Sequence, residues 1–302
     1  MRSERQPLQI GFALRDAYAW ADLADLARAG LDLGYRALFL PEVGSRDTLA
    51  ALTGLAGEAP GLSLGTGVVP LPSRHPELLA MAAATVQERS GGRLLLGLGT
   101  GPAVPGALGR LRAAVGALRA LFREGEAELD GGRLRLDLLP ERPPPIWIAA
   151  LGPRAVRLAG EVADGVILNW CTPERVAEAG AAIAEAAADA GRDPAQVTIA
   201  VYVRAAMADA STEIALAAAA AYGSYPGYAR QFAAMGIDPA DPAAIVAAVC
   251  LTGERRVARA RLDAYRDAGA HLPVVYPVVR PRTASLAPDP GEALAALDAL
   301  AP

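Results

Sequence analysis

At 302 residues, 53% hydrophobic and only 5% aromatic, the chain can bury a large core built mostly from Ala, Leu and Val. Its formal net charge of −4 argues against a general nucleic-acid surface. No uninterrupted apolar run of ~18 residues offers a membrane span, and all 29 basic residues are arginine, which reads as the coding bias of a GC-rich genome.

The opening MRSERQPLQIGFAL has no apolar leader core, and Leu8–Leu14 is expected as strand one. Asp16 is expected to cap a helix running to Leu33, in which Trp20, Leu23, Leu26, Ala27 and Leu31 recur at helical spacing and Gly34 ends it. Arg36–Leu40 reads as strand two, followed by Pro41, Glu42 and a helix opened by Ser45 or Asp47. Leu62–Val69 is strand three, Pro76–Arg89 an amphipathic helix, and a Ser90-Gly91-Gly92 break leads to strand four, which ends in Gly97-Leu98-Gly99-Thr100-Gly101. A helix over roughly Pro105–Arg123 precedes a hairpin-like insert around Asp130-Gly131-Gly132. Ile146–Ala150 is strand five, with a helix from Pro153 to about Ala163, and Gly165–Asn169 is strand six, with Thr172 capping a helix to Gly191. Val197–Arg204 is strand seven. Helical sequence from Thr212 to Gly269 follows, broken at Gly223–Gly227 and Gly236–Pro242, before strand eight at Leu272–Tyr276 and a last helix at Gly291–Leu300. Strand and helix alternate eight times without a linker, so one domain over 1–302 is expected. It is a closed (β/α)8 TIM barrel with a helical insertion between strands seven and eight and a small hairpin before strand five.

Several residues at strand C-termini can carry chemistry. The GLGTG turn fails the dinucleotide fingerprint, because Pro102 and Val104 stand where glycine is needed; it is either a structural turn or one whose N–H groups face a ligand. Leu151-Gly152-Pro153-Arg154 opens a helix, where free N–H groups and an arginine can bind phosphate, although an ordinary loop with a solvated arginine is the reading these residues alone favour. Glu42 can serve as acid, base or hydrogen-bond acceptor, or simply cap a helix. His75 reads as a loop or capping residue, with a catalytic role the alternative, while His271 sits before strand eight at the wrong rim and reads as structural. Cys171 and Cys250 form no CxxC pair and suit buried thiols in a reducing cytoplasm; two histidines and two cysteines make no metal constellation, and no GxSxG is present.

Four segments together resemble the luciferase-like flavin- and deazaflavin-dependent oxidoreductases: LGTGVVPLPSRHPELLAMAAATVQERSGGRLLLGLGTG, PEVGSRD after strand two, PPPIWIAALGPRAVRLAGEVADGVILNW, and AGRDPAQV before strand seven. They fall in the right order over nearly the whole chain. The resemblance implies a (β/α)8 barrel with a non-prolyl cis peptide at Gly67-Val68 bulging beneath the ring of the coenzyme. It places Glu42 near that ring, Thr100 and Gly101 beside it, and the backbone of Leu151, Gly152, Arg154 and Ala155 around its phosphate. The chain looks most like the actinobacterial branch that uses coenzyme F-420; many flavin mononucleotide (FMN) users have a basic residue in the loop where Thr100 stands. The implied activity is hydride exchange between F-420 and a small organic substrate by a cytoplasmic homodimer, with Glu42 handling the proton and no membrane or nucleic-acid partner. An FMN-dependent monooxygenase and a deazaflavin-binding protein with little catalysis are the alternatives.

In the sugar-phosphate dehydrogenases of that family a catalytic histidine follows the acid after strand two and a catalytic glutamate follows GTG; here Val43 and Pro102 occupy those places, and the segment after Gly101 is short. Neither side chain can exchange a proton. Purified protein supplied with F-420 is therefore expected not to oxidise glucose 6-phosphate; robust turnover in a coenzyme-reduction assay would refute that transfer of roles.

Overall fold

Eight short apolar runs build the centre of the molecule: β1 (Gly11–Ala13), β2 (Ala37–Leu40), β3 (Ser63–Thr66), β4 (Leu94–Gly99), β5 (Ile146–Ala149), β6 (Gly165–Asn169), β7 (Thr198–Ala206) and β8 (Leu272–Pro277). In this computed structural model, which describes residues 10–102, 104–281 and 287–302, they pair in parallel in sequence order from β1 to β8, and β8 returns to β1. The expected barrel is therefore closed. Leu8 and Gln9, the expected start of strand one, and the rest of the N-terminal stretch read for a leader lie outside the described residues.

Both faces of each strand are covered, which explains why the strands read as continuous apolar runs. One face packs on the helices. The other fills the barrel with Phe39, Leu95, Trp147, Ile167, Tyr202 and Val274, among others, so the interior is a plug and not a pore. The same alternation sets what stands above the plug: Asn169 two residues beyond Ile167, Arg204 beyond Tyr202 and Tyr276 beyond Val274.

β3 and β4 lose step with each other just where the mouth begins. Gly65 pairs with Leu95 and Val69 with Leu98, so four steps on one strand answer three on the other. The extra residue makes a bulge of Thr66, Gly67 and Val68, with the Gly67-Val68 peptide cis, as the family resemblance implied. Within the bulge the Thr66 hydroxyl replaces the missing strand bonds. It donates to the Gly97 carbonyl at 2.7 Å and accepts from the Gly97 N–H at 2.8 Å. Only glycine fits opposite, since a Cβ on Gly97 would stand 2.1 Å from the Thr66 carbonyl oxygen.

Local signals placed most helices well. Pro76–Arg89 starts behind His75, whose Nδ1 accepts from the Glu77 N–H at 3.4 Å; Asp47 caps Thr48–Glu58, and Thr172 caps Pro173–Asp189. The helix Ala107–Glu124 leads into the expected hairpin, Glu126–Leu129 against Gly132–Arg135. Asp16 departs from expectation. The helix it was expected to cap begins at Trp20, and the buried Asp16 carboxylate instead accepts from the Val43 and Ser45 N–H groups at 3.1 and 3.0 Å, tying the loop after β1 to the loop after β2. The insertion after β7 comprises helices Asp209–Ser224, Pro226–Ala234 and Pro242–Val249, and a short strand, Cys250–Thr252, that pairs with the end of β7; the helix Arg255–Asp267 then returns to β8. No helix among the described residues is long and apolar enough to cross a membrane.

His271 lies at the lower rim, where its Nδ1 accepts from the Ile199 N–H at 2.9 Å and burial lowers its pKa, as suits a structural residue. Cys171 and Cys250 are free and buried, and burial pushes their thiols up to about 12 and about 11.

Gly97→Ala is expected to destabilise the protein by about 1–3 kcal/mol through overpacking, whereas Gly109→Ala, on an exposed helical turn with nothing within 4 Å of the new Cβ, is expected to be neutral or mildly stabilising. Urea denaturation midpoints for the two variants check this, and equal midpoints would contradict the tight opposition at Gly97.

Candidate active site

A cavity of about 710 Å³ opens above the plug at the C-terminal ends of the strands, where barrel loops and the insertion enclose it. It has two unlike sides. Toward β3, β4 and β5 the wall is mostly backbone and small side chains: Gly67, Val68, Gly99, Thr100, Gly101 and Leu151. Toward β6, β7 and β8 it is aromatic and polar, formed by Asn169, Tyr202, Arg204 and Tyr276, with Tyr222 and Tyr228 supplied by the insertion.

Bare backbone on the first side has a steric origin. A Cβ on Gly67 would lie 1.8 Å from the Tyr202 hydroxyl, and one on Gly99 would lie 2.7 Å from a Val68 methyl. Gly101 turns the chain with φ 67°, a left-handed conformation that favours glycine. Beneath Gly67, the Tyr202 hydroxyl is buried with no hydrogen-bond partner among the described residues. Burial holds its pKa well above the ordinary phenol value, so it keeps its proton.

Glu42 also borders the cavity, but both its oxygens are engaged. Arg74 donates through Nη2 to Oε2 at 2.6 Å and through Nε to Oε1 at 3.3 Å, the Ser73 hydroxyl donates to Oε1 at 3.1 Å, and the Thr48 N–H donates to Oε2 at 3.2 Å. Arg74 reaches Asp47 as well, at 2.9 Å. These bonds, that to Glu42 above all, raise the guanidinium pKa. Each side chain of the Glu42–Arg74 pair is only 13% exposed, so the pair is a desolvated clamp between the loop after β2 and the loop after β3.

The opposite wall is organised by Asn169. Its Oδ1 accepts from Arg204 Nη1 at 2.6 Å, its Nδ2 donates to the Tyr228 hydroxyl at 3.0 Å, and its carbonyl accepts from Gln231 at 2.8 Å. Gln231 also donates to the Trp170 carbonyl at 2.7 Å, holding Trp170 at φ 53°, which is unusual for a bulky side chain. The Trp170 ring lies 4.0 Å from the Arg204 guanidinium carbon, and Tyr222 and Tyr276 lie 5.3 and 5.2 Å from it.

Of the residues singled out from sequence, Glu42, Gly67, Val68, Thr100, Gly101 and Leu151 border one cavity. Gly152, Arg154 and Ala155 stand just beyond Leu151, at the N-terminus of the helix Pro153–Val162, where Gly152 and Arg154 are exposed and the Ala155 N–H turns back to the Gly152 carbonyl at 3.0 Å. His75 caps its helix outside the lining. Sequence reasoning missed Arg74, Asn169, Tyr202 and Arg204. For the last three a signal existed, since polar residues ending barrel strands on the plug-facing side point into the mouth. Arg74 had none, because its partner lies across the fold.

Residues 7–272 match the family model of luciferase-like monooxygenases, and the chain belongs to that family. It is 33% identical over 171 residues to a 5,10-methylenetetrahydromethanopterin reductase of Methanolobus tindarius, covering 52% of each chain. It is 31% identical over 189 residues to an F-420-dependent glucose-6-phosphate dehydrogenase of Nakamurella multipartita, covering 53% of this chain and 56% of that one. These alignments thus span about half the length of the curated relatives. The fold matches that of a coenzyme F-420-dependent tetrahydromethanopterin reductase from Methanopyrus kandleri with a TM-score of 0.76 at 19% identity, over 98% of both chains. An F-420-dependent secondary alcohol dehydrogenase matches with a TM-score of 0.79 at 17% identity, over 98% of this chain and 99% of that one.

Arg74→Met leaves the Glu42 carboxylate desolvated without its cation and is expected to lower stability by on the order of 3 kcal/mol, with recovery in Glu42→Gln/Arg74→Met. A double-mutant cycle in urea measures this, and additive effects would show that the clamp contributes nothing.

Proposed function

We propose, with membership of this family as the premise, that the chain is an oxidoreductase that binds coenzyme F-420 and catalyses hydride exchange with a small organic substrate. The observation carrying this reading is the bulged Gly67-Val68 edge, which gives a side-chain-poor wall with the Tyr202 hydroxyl, without a partner among the described residues, directly beneath it. Such a wall suits a large planar ring with polar edges, and the F-420-dependent names of two relatives, 31% and 32% identical, support the choice of coenzyme.

When bound, F-420 supplies or accepts a hydride. Gly67, Val68, Thr100 and Gly101 would hold its ring system, and the Gly152–Ala155 turn with Arg154 would meet its phosphate. The Tyr202 phenol, kept protonated by burial, is a hydrogen-bond donor at the shelf. Glu42 would border the coenzyme; any proton handling by it requires that a substrate or the coenzyme displace one of its present donors. The insertion lines the other side of the cavity with Ile214, Ala218, Tyr222 and Tyr228. A homodimer in the cytoplasm belongs to the same proposal, supported by the family resemblance and by two buried, unpaired thiols.

Fluorescence titration of the purified protein with F-420 and with FMN tests the reading. F-420 is expected to bind at least ten-fold more tightly, and Arg154→Glu to weaken it. Preference for FMN, with oxygen consumption on reduced flavin, would replace the reading with a monooxygenase; tight F-420 binding without turnover on any of a broad substrate panel would replace it with a binding protein.

A further inference from the structure

We infer that the β6–β8 side of the cavity is a carboxylate-binding subsite, with Arg204 its anion-recognising residue, and hence that the substrate is an organic acid. Its identification as the substrate's subsite rests on the coenzyme reading above; the anion site itself does not.

Arg204 is 7% exposed, faces the barrel mouth and lines the cavity, yet among the described residues no carboxylate is paired with it. Buried cations are ordinarily paired, and the other two charged residues among the lining residues are accounted for. Glu42, the single acid among the lining residues, is held by Arg74, and Arg15 is exposed. Aromatic rings cover Arg204 by cation–π contact, which does not use its in-plane N–H donors. One donor is spent on Asn169. The remaining edge is a planar fork of the kind that matches a carboxylate with two parallel bonds.

A second donor stands with it. The Tyr228 hydroxyl accepts from the same Asn169 amide that accepts from Arg204, so its own proton is left to donate. The phenol stays protonated because burial pushes its pKa up to about 12. One amide therefore fixes a guanidinium and a phenol side by side. Ile214 and Ala218 of the insertion and Val278 and Val279 after β8 supply apolar wall for a hydrocarbon body. A fully hydrated phosphate matches that apolar, ring-lined pocket less well than a carboxylate on a carbon skeleton.

The test uses benzoate and hexanoate, each against its neutral amide, measured by calorimetry on the full chain. At least one acid is expected to bind at least ten-fold more tightly than its amide; Arg204→Gln should remove that preference, and Arg204→Lys, which keeps the charge but not the fork, should retain part of it. F-420 titration of Arg204→Gln should give unchanged affinity, since its ring is assigned to the opposite wall. Acids binding no better than amides, or Arg204→Gln keeping the preference, would overturn the inference. Should Arg204→Gln fail to fold, the acid-against-amide comparison on the unaltered chain and Arg204→Lys still decide it. Selective acid binding without F-420 binding would sink the coenzyme reading alone, and F-420 binding with indifference to acids would sink this inference alone.

Discussion

The mouth of this barrel depends on one close approach, that of the Thr66 backbone and hydroxyl to a residue without a side chain at Gly97. The two bonds between the Thr66 hydroxyl and the Gly97 backbone satisfy groups that the strand ladder abandons there. Because they are satisfied, β3 can hold one residue too many and present Gly67-Val68 edge-on to the cavity. Any side chain at Gly97 would meet a carbonyl oxygen, which cannot rotate away as a flexible side chain would. The bare wall, the position of Tyr202 under Gly67 and the packing of Val68 over Gly99 all follow from that contact.

The opposite wall is built by the reverse strategy. Aromatic residues are scarce in the composition, yet Trp170, Tyr202, Tyr222, Tyr228 and Tyr276 gather around the mouth, most of them against Arg204. Desolvating a guanidinium is costly, and cation–π contact, worth roughly 2 kcal/mol where water is excluded, offsets part of that. Asn169 then turns three separate elements into one polar surface, linking β6 to β7 and to the insertion. Charge on the two walls is consequently handled differently. Near β2 it is cancelled within the protein by the Glu42–Arg74 clamp, and near β7 it is left for a ligand to answer.

How much of this was legible in the sequence follows the range of the interactions involved. Pro76–Arg89, Gly165–Asn169 and the Thr172 cap obey rules that operate within one turn or one strand, and they stand where the residues placed them. Barrel closure came from counting alternations, and the bulge at Gly67-Val68 came from family resemblance. Asp16 was misread because its local surroundings resemble a cap, whereas its partners lie across a loop at Val43 and Ser45. The three-residue strand Cys250–Thr252 is too short to announce itself between two helices. Arg74 carries no local signal of its partner, because Glu42 lies on a different loop. Only strand alternation in VYVRAA, carried to its last residues, sets Arg204 on the same face as Tyr202.

On the proposed reading, the bulged edge of β3 is the floor on which a planar coenzyme rests, opposite a wall that receives the substrate. A crystal structure of the chain with oxidised F-420 tests it directly. The deazaflavin ring is expected to lie against Gly67-Val68, above Tyr202 and beside Thr100 and Gly101, with the Arg204 side left open. A ring seated instead against Arg204, Tyr222 and Tyr228, with the glycine wall bare, would contradict it.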